Sequence, residues 1–100
     1  MKRYQVRMLA RARREYAAAT AWWRLNRRAA PNMLRSEMLA ARKLLAKFPE
    51  AGEVDEGQGG EVRRLLLRGS SYLLFYRVNL AAHRIEILAV WHAQRLPPSA

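Results

Sequence analysis

The sequence predicts an α+β domain in which a helical hairpin packs on a small antiparallel sheet, and three observations predict it. Residues 3–9 alternate with period two, residues 12–48 carry two apolar stripes at helical spacing, and three strand-like runs follow between 62 and 91. With 100 residues and 51% hydrophobic content, one compact core can be filled and two cannot, so a single domain over 1–100 is expected.

The first run places Arg3, Gln5 and Arg7 on one parity and Tyr4, Val6 and Met8 on the other, the pattern of a half-buried strand. From Ala12 the period changes. Ala12, Tyr16, Ala19 and Trp23 step by four, three and four, with Ala18, Trp22 and Leu25 on the adjoining face, which predicts a helix over about 11–28. Pro31 suits the first turn of a second helix, whose stripe is Leu34, Met38, Ala41, Leu45 and Phe48, and Phe48-Pro49 ends it. The short connection at 28–31 makes the pair an antiparallel hairpin whose stripes meet each other and a sheet.

Residues 50–60, EAGEVDEGQGG, hold acids and glycines and no base, so a mobile acidic loop is expected there. VRRLLLR (62–68), SYLLFYRV (71–78) and HRIEILAVW (83–91) then read as an antiparallel meander. Gly69-Ser70 suits a two-residue type II′ turn between the first two. The middle run is apolar on both parities, with Tyr72, Leu74, Tyr76 and Val78 on one and Leu73 and Phe75 on the other, so it is expected to be central. Two helices can cover only one face of such a sheet, which leaves the other free to bind.

The chain carries 19 Lys and Arg against 8 Asp and Glu, a formal charge of +11. Five of those acids lie within 50–61, so the rest of the chain is more basic still. That balance favours a polyanionic or acidic protein partner. With no Cys, disulfides and thiolate metal sites are excluded, only His83 and His92 remain as soft ligands, and neither metal nor cofactor is expected. No stretch approaches the length of a membrane span and no signal-peptide core is present, which makes a soluble cytoplasmic protein the default.

Four words, in the order AWWRLNRRAAP (21–31), LAKFPEAG (45–52), VRRLLLRGSSYLLFYRV (62–78) and IEILAVWHAQR (85–95), resemble the RelE/ParE superfamily of type II toxin-antitoxin toxins. The resemblance implies a βααβββ fold with the first strand beside the last, toxicity to the host cell, and a cognate antitoxin in a hetero-oligomeric complex. It also implies one of two activities. RelE-like members look like ribosome-dependent mRNA endonucleases, and ParE-like members look like poisons of DNA gyrase without chemistry of their own. Metal-independent RNA cleavage needs a base for the 2′-hydroxyl, an acid for the leaving oxygen and cations on the phosphate. His92 with Arg64, Arg77 and Arg95 is the candidate set for that chemistry. The nuclease branch, however, commonly has an Arg where this chain has Leu73, so the ParE-like reading is favoured. A non-toxic nucleic-acid-binding module is a third class, without a helix-turn-helix, RNP or zinc signature behind it.

Under the favoured reading the end of the last strand, Trp91 and His92, with Arg95, Leu96 and Pro97, is the expected target surface. Candidate antitoxin contacts are Trp22, Arg35, Arg42, Lys43, Lys47 and Arg64. Each has a plainer alternative. Trp22 and Trp23 point about 100° apart, so one packs on the sheet while the other can anchor a partner. A stripe of bases is a solvated face in most proteins, and His83, beside a turn, is expected to be solvated.

Overall fold

The structure, a computed structural model, describes residues 3–59 and 61–94. Its elements run β1 (Gln5–Met8), α1 (Ala10–Asn26), α2 (Met33–Lys47), β2 (Glu53–Val54), β3 (Arg63–Leu67), β4 (Tyr72–Asn79) and β5 (Arg84–His92), with a turn of 3-10 helix at Glu56–Gln58. The strands form one sheet in the order β1-β5-β4-β3-β2. Ala12, Ala19 and Trp23 of α1 and Leu34, Met38, Ala41 and Leu45 of α2 bury against Leu67, Tyr72, Leu74, Tyr76, Ile85, Ile87 and Val90 on one face of that sheet. The two helical stripes expected from the sequence therefore supply the core apart from Phe48, while Ala18, Trp22 and Leu25 on the adjoining face of α1 are exposed.

The sheet is mixed where an antiparallel one was expected, because β1 joins β5 in parallel. A parallel neighbour requires a long crossover, and the two helices followed by the meander provide it. The outer edge of β1 does not stay open. The Tyr4 N–H donates to the Ala46 carbonyl at 2.9 Å, and the Arg42 guanidinium donates to the Val6 carbonyl at 3.2 Å, so α2 lies along that edge.

Four local expectations change. Phe48 is 59% exposed, since the helix stops at Lys47 ahead of Pro49 and Phe48 leaves it with non-helical dihedrals. Pro31 stands in the turn before Met33, outside the helix. Residues 50–60 contain a two-residue strand that pairs with β3. The β3–β4 connection has four residues, 68–71, because Leu67 pairs with Tyr72, and the left-handed residue is Ser71 with φ 63°, not Gly69. Gly69 serves a different need: a Cβ there would sit 2.7 Å from the Met33 Sδ and 3.0 Å from a Glu37 carboxylate oxygen. That carboxylate accepts the Gly69 and Ser70 N–H groups at 2.6 and 2.9 Å and so ties the connection to α2.

A bulge in the β4–β5 ladder keeps β5 facing the core at both ends. Phe75 pairs with Ala89 but Tyr76 pairs with Ile87, so Leu88 is the extra residue. Ile85 and Ile87 face the helices before it and Val90 after it, a switch from odd to even positions. Beyond Ile87 no strand among the described residues lies beside the edge of β5. Glu15 of α1 fills that place, accepting the Val90 N–H at 2.9 Å.

Candidate functional site

The face of the sheet away from the helices carries the residues whose chemistry was in question. Arg64 pairs in register with Phe75, Leu66 with Leu73, Leu73 with Trp91, and Arg77 with Glu86. Alternation sends all of these side chains to the side opposite Leu65, Leu67, Leu74, Tyr76 and Ile87.

Glu86 is the electrostatic centre of this face. It is 5% exposed and accepts from Arg77 Nε at 2.7 Å and from Arg84 Nη2 at 2.8 Å. The hydrogen bond from Arg77, then that from Arg84, holds its carboxyl below the ordinary value of 4.5 against the opposing effect of burial. A carboxyl lowered in the native state binds fewer protons than in the unfolded chain, so its stabilisation is complete above about 4.5 and is lost as pH falls through the lower native value. Glu86→Gln is therefore expected to unfold more easily than the wild type at neutral pH, with the gap closing as the medium is acidified through that window. Urea midpoints taken from pH 7 to pH 3 check this; a gap independent of pH would exclude the linkage.

His92 stands elsewhere. It pairs with Tyr72, whose ring it meets edge-on at 5.1 Å, and its Nδ1 accepts the Gln94 N–H at 3.2 Å. Tyr72 belongs to the core, so His92 sits on the helix side of the sheet. Arg77 is five residues further along β4, about 17 Å at strand rise, and on the opposite face. Arg64 faces the same way as Arg77 and lies 3.6 Å from both the Glu53 and Asp55 carboxylates. The structure thus brings neither Arg64 nor Arg77 to His92. Arg95, Leu96 and Pro97 lie outside the described residues.

The proposed antitoxin contacts divide. Trp22 is 43% exposed and Trp23 6%, and the Trp23 indole donates to the Ala30 carbonyl at 2.7 Å. Arg27 stacks near both rings, at 5.4 and 5.8 Å. Arg35, Lys43 and Lys47 are exposed, while Arg42 is half-buried and engaged with Val6. Arg35 and Arg42 also lie near Tyr16, partly offsetting the burial that raises its hydroxyl. The bases of α2 are therefore not one uniform solvated stripe. His83, expected to be solvated, is half-buried and stacks on Tyr4 at 3.8 Å, lining an open groove with Phe48, Leu80 and the Arg77–Glu86 pair.

Sequence reasoning passed over Glu86 and Leu66. A signal existed for the first: a single acid inside IEILAVW, in a chain body with so few acids, is costly unless cations meet it. Among the described residues, no group of three or more His, Asp or Glu could hold a metal ion, and no helix is long and apolar enough to cross a membrane.

Comparison with known proteins gives a family and a fold. The model of the family described as the ParE toxin of the type II toxin-antitoxin system parDE matches residues 6–97. Among solved structures, the RelBE2 toxin-antitoxin complex of Mycobacterium tuberculosis is similar at 24% identity and a TM-score of 0.67, over 94% of this chain and 97% of that one. The chromosomal ParDE system of P. aeruginosa is similar at 16% identity and a TM-score of 0.70, over 91% and 97% of the respective chains. The isolated RelE toxin of E. coli is similar at 21% identity and a TM-score of 0.61, over 93% and 87%. At these identities the likeness shows the fold alone. No curated protein sequence matches.

Proposed function

The chain belongs to the ParE toxin family of type II toxin-antitoxin systems, and from that membership we propose that it arrests growth by binding DNA gyrase, without chemistry of its own, and is neutralised by a cognate antitoxin in a hetero-oligomeric complex. The observation that supports a binding mechanism is the separation of His92 from Arg64 and Arg77, two of the cations that phosphodiester cleavage would use. Arg77 is committed to Glu86 at 2.7 Å, Arg64 lies between two carboxylates, and the position that would add a third cation is Leu73. A transition state with charge building on phosphate needs donors preorganised around one point.

For the antitoxin, the favoured contact region is the helical hairpin, where Trp22, Arg35, Lys43 and Lys47 are exposed. An apolar and acidic segment that orders on binding suits that surface.

Supercoiling and cleavage-complex assays with gyrase, run beside cleavage of translated mRNA on ribosomes, test the mechanism. The expected result is gyrase inhibition with intact mRNA, and a His92→Gln toxin that still arrests growth. A general acid or base at His92 would instead make that substitution cost on the order of 10² to 10⁴ in rate. Cleavage of mRNA abolished by His92→Gln would overturn the proposal.

A further inference from the structure

The open face of the sheet carries an apolar rung that the core does not use. Leu66, Leu73 and Trp91 stand side by side across β3, β4 and β5, Leu66 paired with Leu73 and Leu73 with Trp91. Leu66 is 41% exposed, and Leu73 and Trp91 are half-buried. Beside the rung on the same face, Phe75 pairs with Ala89 and both are 4% exposed, so the apolar character of this face continues along β4 and β5. An antiparallel sheet with one solvated face normally turns polar residues outward at such positions.

The surroundings are cationic. Arg68 follows β3 and is exposed, and the Arg64 and Arg77 side chains on this face are 42% and 52% exposed. The carboxylate at the centre of the face, Glu86, is buried under Arg77 and Arg84, and those of Glu53 and Asp55 lie at the edge against Arg64. What this face offers a partner is an apolar rung with Arg64 in β3 and Arg68 just after it on either side of Leu66, and the partly exposed Arg77 further along β4, beyond Phe75.

We propose that the Leu66–Leu73–Trp91 rung is the surface by which this toxin docks on its target, and that the matching surface is a protein patch with an apolar side chain and a carboxylate beside it to meet Arg68 and the exposed part of Arg64. The inference rests on the reading that the toxin acts by binding. A nucleic-acid strand is the poorer fit. Only Trp91 of the three offers a ring, and Leu66 and Leu73 offer neither a donor nor a charge, whereas strand binding stacks successive bases on several aromatic faces along a cationic groove. A hydrophobic centre with a charged rim is the anatomy of a protein interface, in which a few central side chains carry most of the affinity.

The test uses the full chain with Leu66→Lys, Leu66→Gln and Leu73→Thr, and Leu80→Lys as a control at a 74% exposed position in the β4–β5 turn. Each variant is measured for melting temperature, antitoxin binding, growth arrest and retention on immobilised gyrase. The Leu66 and Leu73 variants are expected to stay folded and bind antitoxin, yet to lose at least tenfold in gyrase retention and in growth arrest, while Leu80→Lys keeps both. If the wild type ignores gyrase but the Leu66 variants still lose growth arrest, the gyrase reading fails and the docking surface stands. Folded Leu66 and Leu73 variants that arrest growth like the wild type would overturn it. So would a wild type that binds RNA or DNA oligonucleotides through this rung, losing them on Leu66→Gln.

Discussion

A Gly52→Ala toxin is expected to lose about 3 kcal/mol or more of folding stability, a large share of the roughly 5–15 kcal/mol that holds a domain folded. Gly52 is buried, and its backbone is not in the left-handed region, so the reason is close approach and not dihedral freedom. A Cβ at this position would stand 2.6 Å from the Arg64 carbonyl oxygen and 2.8 Å from both Cε1 and the hydroxyl of Tyr76. Neither neighbour can step aside. Arg64 is held in the ladder between β2 and β4, and Tyr76 is fully buried. The same tyrosine hydroxyl accepts the Gly52 N–H at 2.8 Å and donates to the Pro49 carbonyl at 2.8 Å, closing the passage from α2 into the sheet. Moving the chain to admit a methyl group therefore adds two orphaned backbone groups to the steric cost. A loss of that size lowers the melting temperature of a domain this small by roughly 12 °C or more. Thermal melts of Gly52→Ala beside Tyr76→Phe check it. The phenylalanine keeps the space, forfeits only the hydrogen bonds, and is expected to fall between the other two proteins. Gly52→Ala within about 1 kcal/mol of the wild type would refute the packing account.

What the sequence could show of this fold was whatever repeats along the chain, and what it hid was whatever depends on two segments meeting. The step of three and four that joins Ala12, Ala19 and Trp23, and Leu34, Met38, Ala41 and Leu45, is enforced by one helix against one core, so it was legible and both faces are buried. Phe48 continued the arithmetic of that stripe, but the helix had ended. In β5 the inward positions change parity at Leu88, and only the register against β4 reveals it. Gly52 looks like any loop glycine until Arg64 and Tyr76 arrive from 12 and 24 residues away. The basic surplus was plain from composition, yet its sharpest consequence needs coordinates. Outside 50–61 the acids are Glu15, Glu37 and Glu86, and each is spent on the fold: on the Val90 N–H, on the β3–β4 connection and on two arginines. Few acids are left at the surface of the body to offset its cations. For the site, Leu73 was recognisable as a departure from the nuclease pattern, but Leu66 gains meaning only once β3 is placed beside β4 and β5.

The adjacent tryptophans give the second large effect, in two different experiments. Trp23 is packed against the core and its indole N–H satisfies the Ala30 carbonyl in the turn between the helices. Trp23→Ala is accordingly expected to cost about 3–5 kcal/mol of folding stability, in part because that carbonyl, already sheltered, loses its donor. Trp22 occupies the next position, about 100° around the helix, with its ring tilted 58° to that of Trp23 and 43% exposed. Arg27 holds its guanidinium 5.4 Å from the Trp22 ring centre, which stiffens the exposed indole before any partner arrives. A preordered aromatic in a cationic setting loses little entropy when an acidic, apolar segment covers it. Trp22→Ala should change folding stability by no more than about 0.5–1 kcal/mol yet weaken the antitoxin complex by about 2 kcal/mol, roughly thirtyfold in Kd. Calorimetric titration of antitoxin into each folded toxin separates the two roles, since the fold term and the interface term fall on neighbouring residues of one helix. An antitoxin that binds Trp22→Ala as tightly as the wild type would remove the hairpin tip from the interface and leave the indole as exposed surface alone.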